Sequence, residues 1–226
     1  VMEDGTLVFS LTVIKGENTL FSMILYSADG GENWVLSEGI DSGMCRDPRI
    51  TKWERGQILM VSTCTDGQKV HESRDMGRTW TEAVGTLPGV WVKSSPEGSW
   101  EKGLDVEALT TVTIEGKRVM LYSQRRCSSW KPKASEPYLW VTDNNRTFYV
   151  GEAFVDGPRD KTFAHTLLYS DGELHLLQER GNITNRIISL SRLTEQLETI
   201  KDLLIGWTRL DASFSKVFIP TAGLVG

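Results

Sequence analysis

Ser27-Ala28-Asp29-Gly30-Gly31-Glu32-Asn33-Trp34 returns 46 residues later as Ser73-Arg74-Asp75-Met76-Gly77-Arg78-Thr79-Trp80. Both stretches read S-x-D-x-G-x-[NT]-W, and a period of about 45 residues is that of one four-stranded propeller blade. Each copy follows a short extended run, residues 19–26 and 68–72, of the types that favour a half-buried strand. Within the copy, Asp29 or Asp75 is placed to accept hydrogen bonds from turn N–H groups. Gly31 and Gly77 supply the positive-φ position such a reversal needs. Trp34 and Trp80 then open the next strand with an indole. One Asp-Gly cluster marks any hairpin; two copies agreeing at Ser, Asp, Gly and Trp mark a repeat. A third, looser copy runs from Thr142 through Asp143 to Phe148. It lacks the glycine, and Asn145 is the residue expected to turn left-handed in its place. Trp140 just before it is expected in the core.

Outside the repeat, residues 5–13, 58–63, 109–114, 118–123, 138–142, 165–169, 174–178 and 186–191 read as short strands between Gly, Asp, Ser and Pro punctuation. Glu115-Gly116-Lys117 and Ser170-Asp171-Gly172 are hairpin signals. No helical apolar period interrupts them, which argues against a parallel βαβ sheet. The pattern changes near residue 192. Leu193, Leu197, Ile200, Leu203, Leu204, Trp207 and Leu210 recur at helical spacing, with Thr194 as expected cap and Glu195 in the first turn. This helix is expected to pack on the outside of the sheets or to lead into a further module. About 190 residues of strand material make about four blades, either closing alone or forming the later part of a larger ring. The opening Val1-Met2-Glu3-Asp4-Gly5-Thr6 looks like the turn before a strand and favours the larger ring.

The chain has 226 residues, 39% hydrophobic and 24% charged, ordinary values for a folded domain. Its net charge is -5 and no basic cluster exceeds Gln124-Arg125-Arg126, so nucleic acid is excluded as a partner class. No apolar run approaches a membrane span and no leader-like segment opens the chain. Cys45, Cys64 and Cys127 lack metal spacing, and their odd number leaves at least one without a partner in the chain. Whether Cys45 meets Cys64 stays open at this level. His71, His165 and His175 sit in strand-like runs, so neither a metal nor a cofactor is expected. Two sequons, at Asn145 and Asn182, point to a secreted or surface protein.

The S-x-D-x-G-x-[ST]-W box is the Asp-box of sialidases. Met44-Cys45-Arg46-Asp47-Pro48, Glu82-Ala83-Val84-Gly85-Thr86-Leu87, Leu139-Trp140-Val141-Thr142-Asp143-Asn144 and Arg192-Leu193-Thr194-Glu195-Gln196-Leu197 extend the likeness over the whole chain. The chain resembles the trans-sialidase superfamily of trypanosome surface proteins. That resemblance implies an all-β fold, part of a six-bladed sialidase-type β-propeller followed by a long C-terminal α-helix. Residues 1–191 would supply blades, 192–212 the helix, and 213–226 the start of a connection to a lectin-like β-sandwich. It also implies host cell-surface or matrix glycoproteins and sialylated glycans as partners, and a cell-surface or secreted location, membrane-anchored in the longer protein.

In such enzymes, arginines hold the sialic acid carboxylate. A tyrosine paired with a glutamate is the nucleophile, and an aspartate is the acid/base. Here Asp47 stands where the nucleophile's glutamate partner is expected, one methylene shorter. Thr63 and Ala134 fall where two arginines are expected; Lys131 and Lys133 lie beside Ala134, and Arg125 or Arg126 are possible stand-ins. Ala164, beside Phe163, falls at the nucleophile. Glu179 matches a family acidic residue, with a structural role expected. The first arginine, the acid/base and another substrate-contacting aspartate precede residue 1 in the family order. Arg46, Arg49 and Trp130 are candidate glycan contacts, and Trp91 and Trp100 flank a loop that either displays an aromatic platform or is anchored by them. The expectation is an adhesive sialidase-like glycoprotein without efficient turnover; the alternative is an active exo-α-sialidase or trans-sialidase acting on terminal sialic acid.

Overall fold

A computed structural model describes residues 1–16, 19–40, 45–65, 67–90, 104–126, 137–153, 161–181 and 184–217. Among them are four antiparallel sheets that follow one another along the chain, then one helix. The first sheet is β1 (Leu7–Lys15), β2 (Thr19–Ser27) and β3 (Val35–Leu36); the second is β4 (Arg46–Lys52), β5 (Ile58–Cys64), β6 (Gly67–Ser73) and β7 (Thr81–Glu82). The third is β8 (Leu104–Ile114), β9 (Lys117–Arg126), β10 (Tyr138–Thr142) and β11 (Thr147–Glu152); the fourth is β12 (Lys161–Ser170), β13 (Glu173–Gly181) and β14 (Arg186–Arg192). In each sheet neighbours in sequence are neighbours in space. The first strands lie side by side, β1 with β4, β4 with β8 and β8 with β12, so the sheets stack face to face in chain order.

The two hairpin signals become two-residue turns with both central residues left-handed: Glu115 and Gly116 at φ 50° and 72°, Asp171 and Gly172 at 54° and 76°. That twist matches the flanking strands. A shift of 46 residues carries β3 onto β7 and the end of β2 onto the end of β6, with the box between them. It carries β1 towards β5. The three strands of the first sheet thus correspond to the last three of the second, and β4 has no counterpart in the first sheet among the described residues.

Apolar side chains fill the three spaces between sheets. Ile24, Ile40, Ile58 and Met60 pack between the first and second. Leu59, Val61, Val70, Met120 and Tyr122 pack between the second and third. Leu121, Leu139, Val141, Leu167, Leu174 and Leu176 pack between the third and fourth and beneath α1 (Thr194–Val217). Trp140 is half-buried, stacked on Tyr122 with ring centroids 6.2 Å apart and tilted on Tyr149 at 5.2 Å.

The helix stripe Leu193, Leu197, Ile200, Leu204 and Trp207 is buried in the last of these clusters. Thr194 is not the cap: the Leu193 carbonyl accepts the first helical bond from Leu197 N at 3.0 Å, and Thr194 is the first helical residue. Leu193 occupies the cap position because its side chain, 1% exposed, seals the core and its own N–H is bound to the Leu174 carbonyl. Gly206 lies within the helix without ending it, and the helix runs five residues past the expected position 212, to Val217. Cys45 and Cys64 are joined by a disulfide, which fastens the entry of β4 to the end of β5. No helix among the described residues is long and apolar enough to cross a membrane.

Candidate functional site

The two box turns share one bonding plan. Ser27 Oγ donates to Asp29 Oδ1 at 2.7 Å and accepts from Gly31 N at 2.8 Å, while Asn33 N donates to Asp29 Oδ1 at 2.9 Å. In the second, Ser73 Oγ donates to Asp75 Oδ1 and accepts from Gly77 N, both at 2.8 Å, and Thr79 N donates to Asp75 Oδ1 at 2.9 Å. Donors converging on each carboxylate, first the backbone N–H of Asn33 or Thr79, hold both aspartates down to about 2. The indoles differ. Trp80 Nε1 donates across to the Glu38 carbonyl of the first sheet at 3.1 Å, beside a Glu38 N to Gly77 O bond of 3.0 Å. Trp34 Nε1 donates to Gly31 O in its own turn at 2.9 Å, and the ring is 42% exposed against Phe9. The second box is therefore a clasp between sheets.

The turn at Asp143 follows another plan. Asp143 N donates to Arg146 O, and Asp143 Oδ1 accepts from Asn145 N and Arg146 N at 3.0 and 2.7 Å. Asn144, not Asn145, is the left-handed residue, at φ 74°. Three residues fewer separate the strands, so the carboxylate caps a tight turn rather than the longer box. Arg146 ties this turn to the helix, its Nε donating to Asp143 Oδ2 at 2.8 Å, its Nη1 to Asp211 at 2.7 Å, and its guanidinium lying 4.7 Å over the Trp207 ring. Asn145 is exposed.

Arg46, Asp47 and Thr63 come together where β4, β5 and β8 adjoin, while Ala164 and Glu179 pair with each other in the fourth sheet. Opposite β5, Arg46 pairs with Thr63 and Arg49 with Val61, so Asp47 and Pro48 form a bulge. Asp47 sits there at φ 52°, its N–H donating to Thr12 Oγ1 at 3.1 Å. Its exposed carboxylate lies 3.7 Å from Arg46 Nε. Arg49 is committed elsewhere: Nε donates to Glu107 O at 2.6 Å, and Nη1 to Pro48 O and Asp47 O at 3.2 and 3.3 Å. It staples β4 to β8 with three of its five N–H donors engaged. Thr63 lies beside Asp105 of β8. Burial pushes the Asp105 carboxyl up; Glu107 and Asp47 add to this, while Arg46 and Thr63 oppose it. The exposed guanidinium of Arg46 thus lies beside the Asp47 carboxylate and within electrostatic reach of Asp105.

Ala164 follows a bulge in β12 and pairs with Glu179 of β13, whose carboxylate is bound to Arg186 at 2.7 Å. A methyl group stands where the resemblance led to the expectation of a nucleophilic tyrosine. The chain's five tyrosines are placed elsewhere. Tyr26, Tyr122 and Tyr169 pack in or against the core, and Tyr138 and Tyr149 pack edge to face. Trp91, Trp100, Cys127, Trp130, Lys131, Lys133, Ala134 and Asn182 lie outside the described residues, as do the side chains of Arg125, Arg126 and Phe163. Asp105 and Glu107 were not anticipated from the sequence; two acids spaced by one apolar residue at the head of a strand were the available signal. Among the described residues no cluster of His, Cys, Asp and Glu is arranged to hold a metal.

The BNR repeat-like domain family matches residues 1–185. Over its whole length the chain is 51% identical to "Sialidase 85-1.1" of Trypanosoma cruzi, covering 30% of that protein. It is 34% identical over 94% of its length to a second T. cruzi sialidase, covering 18% of it. Among solved structures, Trypanosoma rangeli sialidase in complex with 2,3-difluoro-KDN superposes with a TM-score of 0.81 at 29% identity, over all of this chain and 35% of that one. The same enzyme with the inhibitor DANA gives 0.79 at 31% identity, over 94% of this chain and 34% of that one. The chain thus spans about a third or less of each of these relatives.

Proposed function

As the chain belongs to the trypanosomal sialidase/trans-sialidase superfamily, we propose that it is part of a surface glycoprotein that has kept the sialidase scaffold, lost efficient turnover, and acts in adhesion to host glycans or proteins. The observation that carries this reading is Ala164. A retaining sialidase needs a tyrosine hydroxyl beside a carboxylate, and here a methyl group faces Glu179 while Glu179 is bound to Arg186. The surroundings support it. Sialic acid carries a carboxylate, and among the described residues Arg46, already beside Asp47 and in reach of Asp105, is poorly suited to hold one. The test is hydrolysis and transfer of a fluorogenic sialoside by the full-length protein: activity at background is expected, and turnover well above it ends the reading.

The active-enzyme alternative draws on Asp47, which still presents an exposed carboxylate at the inner strands. A displacement near 1 Å costs about a hundredfold in rate, so that alternative requires slow but measurable turnover abolished by Asp47→Asn.

The proposed setting is a six-bladed ring. The first and fourth sheets each leave an apolar face open, with Phe9, Trp34 and Leu36 on one and Leu168, Ile188 and Leu190 on the other. Preceding blades would cover these faces. Residues 192–212 would form the linker helix, with the sandwich connection beginning after its observed end at Val217 rather than at 213. Glycosylation at Asn145 and a cell-surface location belong to the same proposal.

A further inference from the structure

A second polar cluster lies between the third and fourth sheets, behind the inner strands. His165 of β12 has a fully buried side chain. Its Nε2 is 2.6 Å from Ser123 Oγ of β9, and Ser123 Oγ also accepts from Ala108 N at 3.2 Å. Its Nδ1 is 2.8 Å from Glu107 Oε2 of β8, a bent contact. Glu107 is the extra residue of the bulge between Val106 and Ala108, which turns its side chain out of the ordinary strand alternation. Ser123 and His165 are almost wholly withdrawn from solvent, whereas the Glu107 side chain keeps 22% exposure.

We infer that Glu107, His165 and Ser123 form one carboxylate–imidazole–hydroxyl relay that docks the fourth sheet on the third and holds the Glu107 carboxylate in the central cluster as a fixed negative charge. With Ala108 N–H occupying one lone pair of Ser123, the hydroxyl proton is directed to His165 Nε2. That leaves Nδ1 as the protonated nitrogen, facing the carboxylate. The Ser123 hydroxyl and His165 Nε2 are then paired, and Nδ1, which makes no well-aligned hydrogen bond, has the Glu107 carboxylate as its neighbour. At the other end Arg49 Nε grips the Glu107 backbone carbonyl, so backbone and side chain of Glu107 are each fixed by a different sheet. The groups bearing on Asp105 are Arg46 and Asp47 of β4, Thr63 of β5 and Glu107 of its own strand; a fixed Glu107 is thus felt by Asp105. Ser123 has no route to solvent, so a nucleophilic role is not assigned to it. His165 is a positioning residue, and this assignment holds whether or not the protein turns over sialosides.

The test uses the full-length protein with 13C-labelled aspartate carboxyls and 15N-labelled histidine. Glu107→Gln removes a like charge and should lower the Asp105 titration midpoint by about half a unit. His165→Gln should lower it as well, although His165 has no role in the Asp105 environment except through Glu107. The double variant should fall no further than Glu107→Gln alone. An Asp105 midpoint unmoved by His165→Gln, or two shifts that simply add, overturns the relay. Should His165→Gln fail to fold, Ser123→Ala serves: it removes one hydroxyl, and the His165 Nε2 resonance should shift as its hydrogen bond is lost. An unshifted resonance overturns the inference equally.

Discussion

At the scale of single residues, the boxes show how a short motif becomes an acid-sensitive structure. Asp29 and Asp75 are each held near 2 by turn N–H and hydroxyl donors. A folded-state value depressed below the ordinary carboxylate value of about 3.9 means that the stabilisation is complete above that value. It is lost as pH falls through about 2. Asp75→Asn should therefore lower the unfolding midpoint at pH 7, and the gap from the parent should close between about pH 4 and 2; a gap independent of pH would contradict this. The glycines separate strain from crowding. Gly77 has φ 78°, and a Cβ there would lie 2.6 Å from the Ser37 Cβ, whereas Gly30 has φ 75° with open space around it. Gly30→Ala should cost about 1 kcal/mol and Gly77→Ala at least about 2 kcal/mol, measured by denaturant unfolding.

At the scale of elements, α1 earns its place through one stripe. Leu204 is 1% exposed and Leu210 is 44% exposed. Leu204→Ala should cost about 2–5 kcal/mol and Leu210→Ala no more than about 0.5 kcal/mol. Equal effects would mean that the helix does not dock as described. The disulfide ties β4 to β5 over a separation of 19 residues. Removing it as the Cys45→Ser, Cys64→Ser pair should cost about 3 kcal/mol. Its removal should also loosen the Asp47–Pro48 bulge, read as faster amide exchange at Asp47 than at Ile58 in the same strand pair.

At the scale of the whole molecule, the four sheets stack through three apolar interfaces, and the outermost two faces remain uncovered. Leu168, Ile188 and Leu190 share one face of the fourth sheet and are each more than half exposed, and an open apolar face of this kind promotes association. The 226-residue chain alone should self-associate in sedimentation experiments, and Ile188→Lys should reduce that association. A monomer without the substitution would argue that the face is not sticky.

The sequence by itself determined that the chain is built of short antiparallel strands, where its hairpins reverse, and that a helix follows them. These are local matters: alternation, Asn, Asp and Gly at left-handed positions, and a 3.6-residue period act within about a dozen residues. The expectation of a lost nucleophile at Ala164 and a lost arginine at Thr63 also comes from the sequence, because residue types can be matched to a family pattern without coordinates. Only the tertiary structure decided the partners. It joined Cys45 to Cys64, turned Trp80 across to Glu38 while Trp34 stayed on its own turn, committed Arg49 to carbonyls, and brought Glu107, His165 and Ser123 together from three strands. Those contacts join residues 42 to 58 positions apart in Trp80–Glu38, Ser123–His165 and Arg49–Glu107. They depend on how whole sheets stack and where bulges re-aim a side chain, and no local pattern carries that information.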